Sequence, residues 1–171
     1  GAFAIAGDDV VFSTNVNITE NVASACTRVD FTGYPGQLTM SSSLTVAGSF
    51  KLVAGMTVTG TGILGITTTA TITSAGITWP GALTFSFTTA SQTGTLADDW
   101  TVTGTVTHST NVGTINGINI LSLGSVSGSN LSGVTTVYQF KGTGNWVAES
   151  LIGNAMIFNT EGTITIGSAV T

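Results

Sequence analysis

Gln37-Leu-Thr-Met-Ser-Ser-Ser-Leu-Thr-Val-Ala-Gly-Ser-Phe-Lys-Leu-Val-Ala-Gly-Met-Thr-Val58, continued by Leu64-Gly-Ile66 and Ala70-Thr-Ile72, divides into short units that each read apolar, polar, apolar. The units begin at Leu38, Leu44, Phe50, Met56, Leu64 and Ala70, a step of six residues that stretches once to eight. In a strand, side chains alternate between faces, so both apolar residues of a unit share one face and the middle Thr, Lys or Gly takes the other. Six residues leave about three for a strand and three for a turn. Hairpin-linked strands of a β-sandwich or jelly roll recur about every 8–12 residues, so that alternative fits the spacing poorly. A chain that turns a corner after each short strand fits it well. The fold expected is all-β: a single-domain β-solenoid resembling a right-handed parallel β-helix.

Working outward, Leu83-Thr-Phe85, Trp100-Thr-Val102, Ile118-Asn-Ile120 and Ile164-Thr-Ile166 repeat the unit less regularly. Recurrent Thr, Val, Ile and Gly disfavour helix and suit a pleated surface. In a solenoid the inward residues stack into apolar columns and the outward Thr and Ser into hydroxyl ladders, while one coil alone cannot bury its face. Residues 1–171 form one domain in this reading, with 1–36 as an N-terminal cap region and 142–171 as a less regular C-terminal region. The polar run Thr88–Thr95 and the irregular stretch Gly142–Ser150 are expected to project as loops.

Charged residues are 6% of the chain and the apolar set is 42%, with a net charge of −5. Disordered chains combine low hydrophobicity with high net charge, so this chain is expected to fold. Arg28, Lys51 and Lys141 are the only basic residues. They read as scattered, without the cationic stripe that nucleic acid requires. No apolar run approaches the ~20 residues of a spanning helix, and the short apolar stretch Gly1–Ala6 has no basic flank and does not read as a signal peptide. No membrane partner is expected. Cys26 is the only cysteine, which excludes an intramolecular disulfide and any multi-cysteine metal site.

Gly7-Asp-Asp-Val-Val-Phe12, Ala25-Cys-Thr-Arg-Val-Asp-Phe-Thr-Gly-Tyr-Pro-Gly-Gln-Leu-Thr39, Leu44–Met56, Ile77-Thr-Trp-Pro-Gly-Ala-Leu-Thr84 and Leu96-Ala-Asp-Asp-Trp-Thr-Val-Thr-Gly104 together resemble a family of Thr/Gly-rich, β-helix-like repeat proteins of tailed bacteriophages. The resemblance covers roughly residues 7–107 and implies a tail-associated or other virion structural protein. It brings no catalytic motif with it.

The residues that could carry chemistry are few. Asp8-Asp9 and Asp98-Asp99 each stand at a strand entry, where Asp side chains accept turn N–H groups; a calcium site is the alternative, needing several converging oxygens. Adjacent carboxylates point to opposite sides of a strand and suit glycosidase chemistry poorly. His108, with no second His, Cys or acid beside it, reads as a solvent-facing turn residue. Trp79 and Trp100 read as core. Trp146, with Asn145 beside it in the irregular stretch, is the candidate contact for a ligand such as a host glycan. Thr163, Ile164, Thr165 and Ile166 are the candidate strand edge for pairing with a neighbouring chain. No cofactor is expected.

The function expected is therefore a non-enzymatic structural protein of a phage virion, as capsid decoration or as part of a tail fibre or spike. It would be a homo-oligomer contacting other virion proteins and host-surface glycans. The alternatives are an extracellular adhesin or matrix filament, and a glycan-degrading β-helix that would draw on Asp98, Asp99 or Glu149.

Overall fold

A computed structural model of the chain describes residues 7–13, 16–108 and 113–116, and beyond them the backbone of the strands from Ile120 to Ile166; side chains are described through Ile115. The first coil comprises β1 (Asp9–Val11), β2 (Ile18–Glu20) and β3 (Ser24–Cys26), and the second β4 (Arg28–Asp30), β5 (Gln37–Met40) and β6 (Ser43–Val46). The third is β7 (Phe50–Lys51), β8 (Thr57–Gly60) and β9 (Ile63–Ile66). In the fourth, β10 (Ala70–Thr73) and β11 (Ala82–Phe85) flank Trp79, which bridges to Val102 in place of a strand. In the fifth, β12 (Thr93–Leu96) leads into β13 (Trp100–His108), a single strand spanning two faces. Then follow β14 (Thr114–Asn116), β15 (Ile120–Val126), β16 (Asn130–Ser132), β17 (Val137–Gly142), β18 (Trp146–Ala148), β19 (Ser150–Ile152), β20 (Ala155–Thr160) and β21 (Ile164–Ile166).

The protein is all-β, with no helix among the described residues, and is a solenoid of about five turns. Its strands pair in parallel with those one coil away. The first sheet is β1-β4-β7-β10-β12-β14, the second β2-β5-β8, and the third runs from β3 through β6, β9, β11, β13, β15 and β17 to β20. Leu44 pairs with Leu64, and Val29 with Phe50, so a coil takes 64 − 44 = 20 or 50 − 29 = 21 residues. Three short steps therefore make one turn with three faces. Within residues 1–36, set apart in the sequence as a cap region, Asp9–Val11, Ile18–Glu20, Ser24–Cys26 and Arg28–Asp30 pair in parallel like the strands of later coils.

Register turns the apolar units into columns. On the first sheet Val10, Val29, Phe50, Ile72 and Leu96 stack inward; on the third, Leu44, Leu64, Leu83 and Val106. All but Val10 are buried. Aromatic rings link the coils: Phe12 and Phe31 at 4.8 Å between centroids, Phe31 and Phe50 at 6.4 Å, Phe50 and Trp79 at 5.7 Å, Trp79 and Trp100 at 6.5 Å. Such pairs add about 0.5–1.5 kcal/mol each beyond the area they bury. Trp79 donates its indole N–H to Ala82 O at 3.1 Å, whereas the buried Trp100 N–H has no partner.

Between the second and third faces the chain turns within two residues, and glycines stack there. A Cβ on Gly62 would overlap the carbonyl oxygen of Ser42, one on Gly81 that of Gly62, and one on Gly104 that of Gly81. From Gly62 upward the corner column thus brings backbone against backbone, and at Gly62, Gly81 and Gly104 only a residue without a side chain fits. Gly65 on the third sheet differs, its nearest neighbour being Thr45 Oγ1 at 3.7 Å. Replacing Gly81 or Gly104 by Ala should cost about 3 kcal/mol of stability, and Gly65→Ala should change it by no more than about 0.5 kcal/mol. Denaturant unfolding of the three variants checks the contrast.

Candidate functional site

The outward side of β4, β7 and β10 carries two polar columns fixed by register. Val29 pairs with Phe50 and Phe50 with Ile72, which aligns their outward neighbours Arg28, Ser49 and Thr71; Asp30 aligns with Lys51 and Lys51 with Thr73. These six side chains, with Val29, line a shallow concavity of about 240 Å³. Two of the chain's three basic residues thus meet on one face. Arg28 Nη2 lies 3.3 Å from Asp9 Oδ2 in the coil below, both side chains about half exposed, so the pair contributes at most about 1 kcal/mol. Asp30 Oδ1 accepts Thr32 N–H at 2.8 Å and the Thr32 hydroxyl at 2.5 Å. That hydroxyl bond is the main reason the Asp30 carboxyl sits below its ordinary range; slight burial opposes it, and Lys51 and Arg28 assist. Lys51 makes no ion pair within 4.0 Å among the described residues.

Sequence reading missed this cluster because Arg28 and Lys51 look scattered until the coil length is known. With a coil of 20 or 21 residues, a separation of 51 − 28 = 23 is one coil plus two residues, the next outward position on the same face.

Elsewhere the Asp98 side chain does turn chemistry, though across coils rather than on its own backbone. Asp98 grips the turn of the coil below: Ser74 N–H donates to its Oδ1 and Ala75 N–H to its Oδ2, both at 2.7 Å. The Ser74 hydroxyl donates to Asp99 O at 2.7 Å. This clamp holds Ala75 at φ +51°, unusual for a residue with a side chain. Asp8 O accepts Thr27 N–H at 2.7 Å. No group of three His, Cys, Asp or Glu able to hold a metal occurs among the described residues. Trp79 and Trp100 are core, at 0% and 1% exposure.

His108 departs from the sequence expectation. It is buried, stacks in the column of Ile66 and Phe85, and packs edge-on to Phe85 and Phe87 at 6.5 and 5.6 Å. The alternation Val106 in, Thr107 out carries on through the strand and turns His108 inward. The expected Thr88–Thr95 loop is also shorter: Gln92 Oε1 accepts the N–H groups of Thr88 and Thr89 at 2.6 and 3.1 Å, and Thr93 already begins β12. In the stretch expected to project from Gly142 to Ser150, Trp146–Ala148 is strand β18, paired in parallel with Ile164–Ile166 of β21. One edge of the candidate pairing strand is therefore taken by β18. Asn145, Glu149 and Thr163 lie outside the described residues.

Glu20 was not singled out by its sequence, yet the alternation of Ile18-Thr-Glu20 aims it inward. It stacks under Met40 and Gly60, fully buried, and neither carboxylate oxygen has a hydrogen-bond partner. Burial raises its pKa above the usual 4.5; Ser24 and the backbone of Ser42 oppose this without completing a bond to either oxygen. Cys26 is likewise inward and buried, its thiol pushed up to about 11 first by burial and then by Asp8 and Asp9.

No family model, curated protein or solved structure matches the chain, and nothing in these comparisons links it to phage repeat proteins.

Two outcomes follow for the buried groups. The raised Glu20 pKa means the folded chain holds a proton the unfolded chain releases, so stability from this group is full below pH 4.5 and declines as pH rises through the folded pKa. Glu20→Met should abolish that decline and raise stability at pH 7 by about 1–3 kcal/mol, read as a rise in the thermal midpoint. Native Cys26 should resist iodoacetamide at pH 8 and react once the chain is unfolded in guanidinium, because the thiolate is the reactive form. Rapid labelling of the folded protein would contradict the burial.

Proposed function

We propose that the chain is a non-catalytic structural module that works within an extracellular assembly, and that this assembly is a bacteriophage virion. As capsid decoration or part of a fibre or spike, it would contact copies of itself and other particle proteins. The observation that carries the assembly reading is the state of the first coil. Among the described residues, β1, β2 and β3 are each the outermost strand of their sheet. Of the four large apolar residues that are exposed among the described ones, Val11, Val16 and Val22 belong to this coil, at 57%, 56% and 49%. Exposed apolar side chains beside an outermost strand are a surface that strand addition would cover. The resemblance of residues 7–107 to phage repeat proteins supports the virion as the setting. The edge of β21 (Ile164–Ile166) that β18 leaves free is a second proposed pairing strand.

A contact made this way rests on apolar area and backbone hydrogen bonds, so it should survive about 1 M NaCl, where the Debye length is about 3 Å. Light scattering coupled to size exclusion should find an oligomer in both low and high salt. Val16→Glu with Val22→Glu, or deletion of residues 160–171, should give folded monomers. A wild-type chain that is monomeric at high concentration, or that dissociates in salt, would overturn the assembly reading; absence of the chain from purified particles would overturn the virion one.

A further inference from the structure

We propose that the concavity on the outward face of β4, β7 and β10 is a saccharide-binding site that takes a neutral, hydroxyl-rich sugar. The inference does not depend on how the chain assembles.

The argument starts from how the hydroxyl columns are used. On the second sheet the outward ladder is closed on itself: Thr39 and Thr59 hydroxyls lie 3.1 Å apart, and Gln37 Nε2 donates to Thr59 Oγ1 at 3.0 Å. At the far end of the first sheet, Thr93 and Thr114 pair at 3.2 Å. In the concavity no such closure occurs: Ser49, Lys51, Thr71 and Thr73 make no side-chain hydrogen bond among the described residues. Ser49, Lys51 and Thr73 are half-buried, so part of their hydration is already stripped. The groups stand on strands whose register fixes their spacing at about 4.8 Å from coil to coil, which makes the arrangement preformed.

Its chemistry selects a sugar over an ion. Lys51 supplies donors, Asp30 is an acceptor held ionised by Thr32, and the three hydroxyls both donate and accept. A sugar hydroxyl also donates and accepts at once, so alternating donors and acceptors suit a run of them. An anion on Lys51 would face Asp30 in the adjoining coil, on a chain already at −5. Asp9, Arg28, Asp30 and Lys51 together sum to zero charge, which gives no net pull on either sign. No aromatic ring lines the concavity, so affinity rests on hydrogen bonds and a single sugar should bind at about 1 mM, with a polymer gaining through avidity.

The test is amide chemical-shift mapping of the isotope-labelled full chain, titrated with the methyl glycosides of glucose, galactose, mannose and N-acetylglucosamine, and with methyl glucuronoside. At least one neutral glycoside should shift Asp30, Ser49, Lys51, Thr71 and Thr73, while Thr39 and Thr59 on the second sheet stay put. Lys51→Met and Asp30→Asn should each weaken that binding about tenfold, and Thr39→Val should leave it unchanged; each variant's spectrum reports its folding. Shifts from none of the neutral sugars, equal shifts on both sheets, or binding of the glucuronoside alone would overturn the proposal.

Discussion

Parallel stacking at one strand spacing, about 4.8 Å per coil, is the constraint on which the rest of this structure depends. Because each strand bonds only to the strands directly above and below, a residue's surroundings are set by those about 20 positions earlier and later. Leucine on leucine at 44, 64 and 83 is one result, and the overlapping turn at Gly62, Gly81 and Gly104 is another. At the corner the requirement is stricter than in the core. An inward column tolerates Leu, Val or Phe in turn, since each fills the same interior from a slightly different height. The corner column has backbone against backbone and no slack.

How far the sequence discloses such a structure follows from what it has to encode. The strand units at Leu38, Leu44 and Phe50 were legible because alternation is local and the apolar residues are large. The spacing of six also favoured a coil over a hairpin, since so few residues leave no room to reverse. What the sequence did not display is closure: three steps make a turn, and only then do residues 20 apart become neighbours. Arg28 and Lys51 look unrelated without that number, as do Asp98 and the turn at Ser74 that it holds. His108 and Glu20 went astray for a different reason. His108 reads as a solvent-facing turn residue and Glu20 is not singled out at all, whereas backbone alternation aims both inward. Asn145 and Thr163 lie outside the described residues, so those two site assignments gain no structural account.

Inward polar residues are the cost of holding period two through a sequence that is not strictly alternating. Glu20 sits in a position that the next coils give to Met40 and Gly60, and Trp100 buries an indole N–H without a partner. A buried unpaired polar group costs roughly 1–3 kcal/mol, yet it perturbs only its own neighbourhood, because repeat stacks sum nearest-neighbour terms. One poor contact is thus diluted by many good ones. The same logic explains how a chain with charges at 6% of its residues stays ordered. Its stability comes from repeated apolar columns and hydrogen-bonded strands, and surface ion pairs add little.

What remains for the outward positions is a choice about the same few hydroxyl residues. At 39 and 59 Thr faces Thr across coils and the two hydroxyls satisfy one another. At 49, 51, 71 and 73 the side chains make no side-chain hydrogen bond among the described residues, even though Thr71 faces Thr95 in the next coil, and their donors are left to solvent. In a solenoid the residues of two adjacent outward columns can therefore differ from those of the other faces with no change to the backbone. Arg28, Asp30 and Lys51 place charge in consecutive coils of one face, in a chain whose charged residues are 6% of the whole.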